Sequence, residues 1–86
     1  MSLETELITQ THDYLESKLP FGDLYMWVQN RQEALAAIPS DATVNQLAGA
    51  IMLAEVELFR NGADEDEVRR SLAEDFAGLV GSRALP

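Results

Sequence analysis

Thr43-Val44-Asn45-Gln46-Leu47-Ala48-Gly49-Ala50-Ile51-Met52-Leu53-Ala54-Glu55-Val56-Glu57-Leu58-Phe59 is the stretch that decides the fold. Val44, Leu47, Ala48, Ile51, Ala54, Leu58 and Phe59 recur at helical spacing, and Met52 and Val56 widen the apolar arc. A helix with so broad an apolar face needs cover on more than one side, which makes it the expected central element of an all-α domain. Ser40, Asp41 and Thr43 each offer an N-cap, and Thr43 with Gln46 has capping-box spacing. Asn61-Gly62 reads as a left-handed C-cap at the other end.

Working outward, three further segments repeat the pattern. The first spans about 2–19, with Leu3, Leu7, Thr11, Tyr14, Leu15 and Leu19 near one face, and Pro20 is expected to end it. The second spans about 24–38 behind an Asp23 cap, with a stripe of Leu24, Trp27, Val28, Ala34, Leu35 and Ile38 closed by Pro39. The central segment covers about 42–60. The fourth spans about 65–80, opened by Asp64 with Glu67 and stopped by Gly81; its stripe is Val68, Leu72, Phe76, Leu79 and Val80. Acidic Asp64, Glu65, Asp66 and Glu67 lie at the positive end of that helix's dipole. The expectation is a small four-helix array, its antiparallel neighbours joined by short turns, forming one domain over 1–81 with a frayed tail at 82–86.

The chain of 86 residues has room for one domain and, lacking cysteine, no disulfide or thiolate metal site to reinforce it. No apolar run approaches the ~20 residues of a membrane span. The opening Met1-Ser2-Leu3-Glu4-Thr5-Glu6 has neither the basic region nor the apolar core of a signal peptide, so a cytoplasmic protein is expected. Fifteen acidic against six basic side chains give a net charge of −9, which argues against direct nucleic-acid binding and for a protein partner with a basic surface.

Two groups of residues break the helical pattern. Arg31 falls inside the apolar arc of the second segment and Glu55 inside that of the third. In a hairpin turning near Ser40, Arg31 lies opposite Ile51 and Glu55 one helical turn away, about 6 Å along the axis, so a buried or half-buried ion pair is expected to fix the register. In Leu24-Tyr25-Met26-Trp27-Val28 a single buried face needs only Leu24, Trp27 and Val28. Tyr25 and Met26, with Phe21 before them, form either an exposed interaction patch or residues covered by a neighbouring helix.

No residue set points to catalysis or a cofactor. There is no cysteine nucleophile, no Gly-x-Ser-x-Gly and no glycine-rich phosphate loop, and Glu55 and Glu57 point to different helix faces. His12 with Glu16 at i+4 is two ligands where a zinc or iron site wants three or four, and it reads as solvated helix surface. The leading expectation is a non-catalytic acidic helical protein-binding module, of inhibitor, immunity-protein, antitoxin or adaptor type, with candidate contacts at Phe21, Tyr25, Met26, Asp64, Glu65 and Asp66. In length and charge the chain is similar to helical nuclease-inhibiting immunity proteins, although their acidic Asp-x-x-Tyr-Tyr-Pro loop has no counterpart here. A second reading is an acidic mimic of nucleic acid. A third is a small structural subunit or homodimer, favoured by Leu53 pointing away from the main stripe. Abundant alanine and five arginines to one lysine suggest a bacterial or phage origin.

Overall fold

The computed structural model describes residues 2–84. Among them the chain is all-α, with no strand: α1 (Leu3–Leu15), α2 (Phe21–Gln29), α3 (Gln32–Ala36), α4 (Thr43–Phe59) and α5 (Glu65–Ala84). The central role expected of the third apolar segment is observed. Helix α4 packs against α1, α2 and α5, burying Val44, Leu47, Ala48, Ile51 and Ala54. Around it close Leu7 and Tyr14 of α1, Leu24, Trp27 and Val28 of α2, Leu35 of α3, and Val68 and Leu72 of α5. The radius of gyration, 12.2 Å, matches the roughly 12 Å of a well-packed chain this long.

Two pairings set the direction of α2 against α4. Phe21 meets the Phe59 ring at one end, and the Gln29 amide donates to the Met52 sulfur at the other, so the helices run antiparallel. Helix α5 returns antiparallel to α4, since Gln46 and Ala50 share a shallow cleft with Glu74, Asp75 and Gly78. Gly62, at φ +67°, makes the turn between them, where the Ala63 N–H donates to the Glu57 carbonyl. This is the left-handed cap read from Asn61-Gly62, and glycine adopts that conformation without steric cost.

Several boundaries differ from the expected ones. Helix α1 stops at Leu15, four residues before Leu19, because Ser17 takes a left-handed conformation at φ 63°. Lys18 N–H then donates to the Asp13 carbonyl and Ser17 N–H to that of Tyr14, a Schellman closure that ends the helix well before Pro20. Helix α2 starts at Phe21, not 24, with Pro20 rather than Asp23 at its N-cap. At the N-terminus of α4 the N-cap is Ala42, and the Gln46 amide folds back onto the Asp41 carbonyl. Helix α5 continues through Gly81 to Ala84, so Gly81 is no stop. Of the expected frayed tail, Leu85 and Pro86 lie outside the described residues.

The main correction is that the expected 24–38 helix is two helices. Arg31 leaves the helical path, at φ −120° and ψ 22°, and its N–H donates to Val28 instead of Trp27. The Trp27 carbonyl so released accepts from the Arg31 guanidinium at 3.2 Å, and the guanidinium lies over the Trp27 ring at 4.3 Å. Arg31 thereby closes the C-terminal end of α2 with a hydrogen bond, its guanidinium held in place by the cation–π contact. The chain after α3 is tied down by Asn45 of α4, whose amide donates to the carbonyls of Leu35, Ile38 and Pro39. These contacts, to the end of α3 and the loop after it and shared between two amide protons, anchor a segment that buries only Leu35.

Candidate interaction site

The Phe21 side chain is the centre of an aromatic cluster that runs from the core to the surface. Pro20 fixes an extended entry into α2 and places Phe21 at its first position, buried. On the inner side the Tyr14 ring meets it edge-on at 5.5 Å. On the outer side Tyr25, one turn further along α2, stacks at 6.4 Å, and Phe59, the last residue of α4, lies at 6.2 Å. Edge-to-face and offset arrangements at these distances are favourable, by about 0.5–1.5 kcal/mol per pair beyond area burial.

Exposure separates the members of the expected patch. Phe21 is buried and Tyr25 half-buried, as the covered reading requires, whereas Met26 is 51% exposed. Phe59, expected in the core, is 68% exposed. It lies well round the helix from the line through Leu47, Ile51 and Ala54, and at the final residue of α4 there is no following turn to cover it. Its place at the C-terminal limit beside Asn61-Gly62 was the sequence signal for this. Leu53, at 60% exposure, stands outside the main stripe as expected.

The register of α2 on α4 puts Tyr25 level with Glu55 and Val56, both half-buried. Phe59, Val56 and Met52 therefore follow one edge of α4 alongside Tyr25 and Gln29 of α2, with Met26 exposed further round α2. Beyond Met52 the seam opens into a groove of about 390 Å³ lined by Leu35, Ala36, Ile38, Asn45, Gly49 and Met52. Among the described residues no ion pair joins Arg31 to Glu55, contrary to expectation. The register needed for it is nearly present, but the helix break after Gln29 turns Arg31 back onto Trp27. Glu55 is left half-buried in the α2–α4 seam, with no ion-pair or hydrogen-bond partner among the described residues.

Behind the cluster the polar groups are engaged with one another, except Arg69 Nε, which is buried without a hydrogen-bond partner among the described residues. The buried Tyr14 hydroxyl donates to Glu65 Oε2 at 3.0 Å. Arg69 reaches Glu65 at 3.3 Å and Asp66 at 3.4 Å, and its guanidinium lies over the Tyr14 ring at 5.0 Å. Burial, reinforced by the hydrogen bond to the Glu65 carboxylate, pushes the Tyr14 hydroxyl up to about 12. Phe21 and Glu65 thus flank the same tyrosine, while the Glu65 and Asp66 charges are partly spent on Arg69. Asp64 stands exposed before α5, its carbonyl accepting from Val68. The part played by Tyr14 and Arg69 was not anticipated; the i+3 and i+4 spacing of Arg69 from Asp66 and Glu65 was the available clue.

His12 is exposed, 3.9 Å from Asp13 and 4.0 Å from Glu16. No three His, Asp or Glu side chains among the described residues converge to hold a metal ion. Nor, among these residues, is any helix long and apolar enough to cross a membrane. Set against known protein families, curated proteins and solved structures, the chain matches none of them.

Proposed function

We propose that the chain is a non-catalytic protein-binding module that engages its partner through the outer edge of the α2–α4 seam. The observation that carries this reading is Phe59. A phenylalanine 68% exposed, resting on the buried Phe21 ring on which Tyr25 also stacks, costs a small domain solubility without adding much to its core. Aromatic and methionine side chains are what protein interfaces concentrate at their centres, and methionine adapts its shape to the surface it meets. The acidic surface then speeds approach to a partner of opposite charge. An inhibitor, antitoxin, immunity protein or adaptor needs no more than such a shaped and charged face.

The nucleic-acid-mimic reading asks for free carboxylates in rows. It is weakened at the head of α5, where Arg69 lies against Glu65 and Asp66. Ionic strength separates the two readings. Binding through the aromatic face persists in salt and is lost on Phe59→Ser; binding by mimicry falls steeply as salt rises and is indifferent to Phe59. Salt-sensitive binding that survives Phe59→Ser and Met26→Ser would sink the proposal.

A further inference from the structure

Glu55 is a charged residue in the seam, and its chemistry does not suit an apolar contact. It lies between Ile51 and Phe59 on the helix, level with Tyr25, half-buried and without an internal partner among the described residues. The arginine best placed by sequence to neutralise it is occupied at Trp27. A carboxylate held beside aromatic rings in a partly desolvated seam is a receptor for a planar cation, because the guanidinium binds a carboxylate in two-point fashion and stacks on aromatic faces.

Deepening the proposed function, and resting on it, we infer that the seam receives an arginine-bearing segment of another protein. The guanidinium docks on Glu55 between Tyr25 and Phe59, and the segment's apolar residues cover Phe59 and Met26. Charge complementarity selects this occupant over a second copy of the chain. Asp23 and Glu57 lie on the same two helices, Arg31 is turned away, and each copy carries a net charge of −9, so two copies repel. Arginine is favoured over lysine because an ammonium presents no plane to the rings and gives up its hydration less readily. The groove past Met52, lined by Ala36, Ile38 and Gly49, extends the same path and gives the segment room for a second apolar side chain.

The test is selection of a random 16-residue peptide library on the immobilised full chain, followed by anisotropy titration of the enriched peptides. Enriched sequences are expected to share an arginine flanked by apolar residues. Glu55→Gln should weaken the best of them about tenfold or more, the scale of losing one partner of a desolvated charge pair. Replacing the peptide arginine by lysine should weaken it by a smaller factor, and Glu74→Gln in the α4–α5 cleft, away from the seam, should change nothing. Unchanged circular dichroism confirms that Glu55→Gln is folded. Enriched peptides without a basic residue, or full binding by Glu55→Gln, overturn the arginine assignment; if Phe59→Ser still abolishes their binding, the module reading stands. Absence of any enrichment, or sedimentation that reports a dimer broken by Phe59→Ser, overturns the assignment by giving the seam to another occupant.

Discussion

Two faces of the same phenylalanine are built on opposite principles. On the inner side of Phe21, Tyr14 is wholly buried, its hydroxyl bonded to Glu65 and its ring covered by Arg69. On the outer side, Phe59 is exposed and Glu55 has no partner among the described residues. The inner region buries its apolar groups and pairs most of its polar ones, Arg69 Nε alone being buried without a hydrogen-bond partner among the described residues. The outer region leaves apolar area in water and a carboxylate half-desolvated, and neither helps the isolated chain fold. What does not serve folding is the better candidate for binding.

The comparison can be broken at Tyr14 first. Tyr14→Ala empties the inner site and should cost about 3–5 kcal/mol, the usual range for truncating a buried aromatic side chain. Chemical denaturation should therefore show a large fall in midpoint, with little folded protein left at physiological temperature. A midpoint near wild type would mean that the inner region does not anchor the fold.

The next effect is a dependence on alkaline pH. The Tyr14 hydroxyl ionises near 10 in the unfolded chain and near 12 in the folded one. Its contribution is thus complete below pH 10 and is lost as the pH rises from 10 towards 12, a total of about 2–3 kcal/mol at roughly 1.4 kcal/mol per pH unit. Tyr14→Phe should abolish that decline while lowering neutral-pH stability by about 1 kcal/mol for the lost hydrogen bond. Parallel urea titrations between pH 8 and pH 12 read both effects.

Between the two regions the chain turns at Ser17, whose left-handed backbone is strained for serine and free of strain for glycine. Ser17→Gly should raise stability by about 0.5–1 kcal/mol, the relief of strain exceeding the extra entropy glycine loses. A fall in melting temperature would show that the turn is held for another reason. The smallest stability effect belongs to the outer region. Phe59→Ser should lower unfolding free energy by only about 0.5 kcal/mol, the low end for its single ring contact with Phe21, and still remove partner binding. A loss of stability comparable to that of Tyr14→Ala would erase the distinction between the two regions.

Periodicity and punctuation were enough to read the all-α class, the central position of the 43–59 helix, the turn at Gly62 and the outward-pointing Leu53, because each follows from spacing or from a residue's local conformational preference. Other features depended on neighbours distant in sequence. Pro20 marked the end of the first helix, but a serine in a glycine-like conformation ended it sooner. The apolar stripe of Leu24 to Ile38 is continuous on a helical wheel, yet Arg31 breaks it by capping Trp27. That same break cancels the Arg31–Glu55 pair, whose register was otherwise nearly correct. Of the candidate contact residues, sequence alone named Phe21, Tyr25 and Met26, but it did not sort the buried ring from the exposed sulfur, and it placed Phe59 on the wrong side of the surface.

Local chemistry, then, determined which segments are helical and which face of each is apolar, since propensity, capping and periodicity act over a few residues. Only the tertiary structure decided which parts of those faces remain in water and which charges find partners. Exposure and pairing are set by what packs across the gap: Tyr14 meets Glu65, fifty-one positions away, while Glu55 meets no described partner at all.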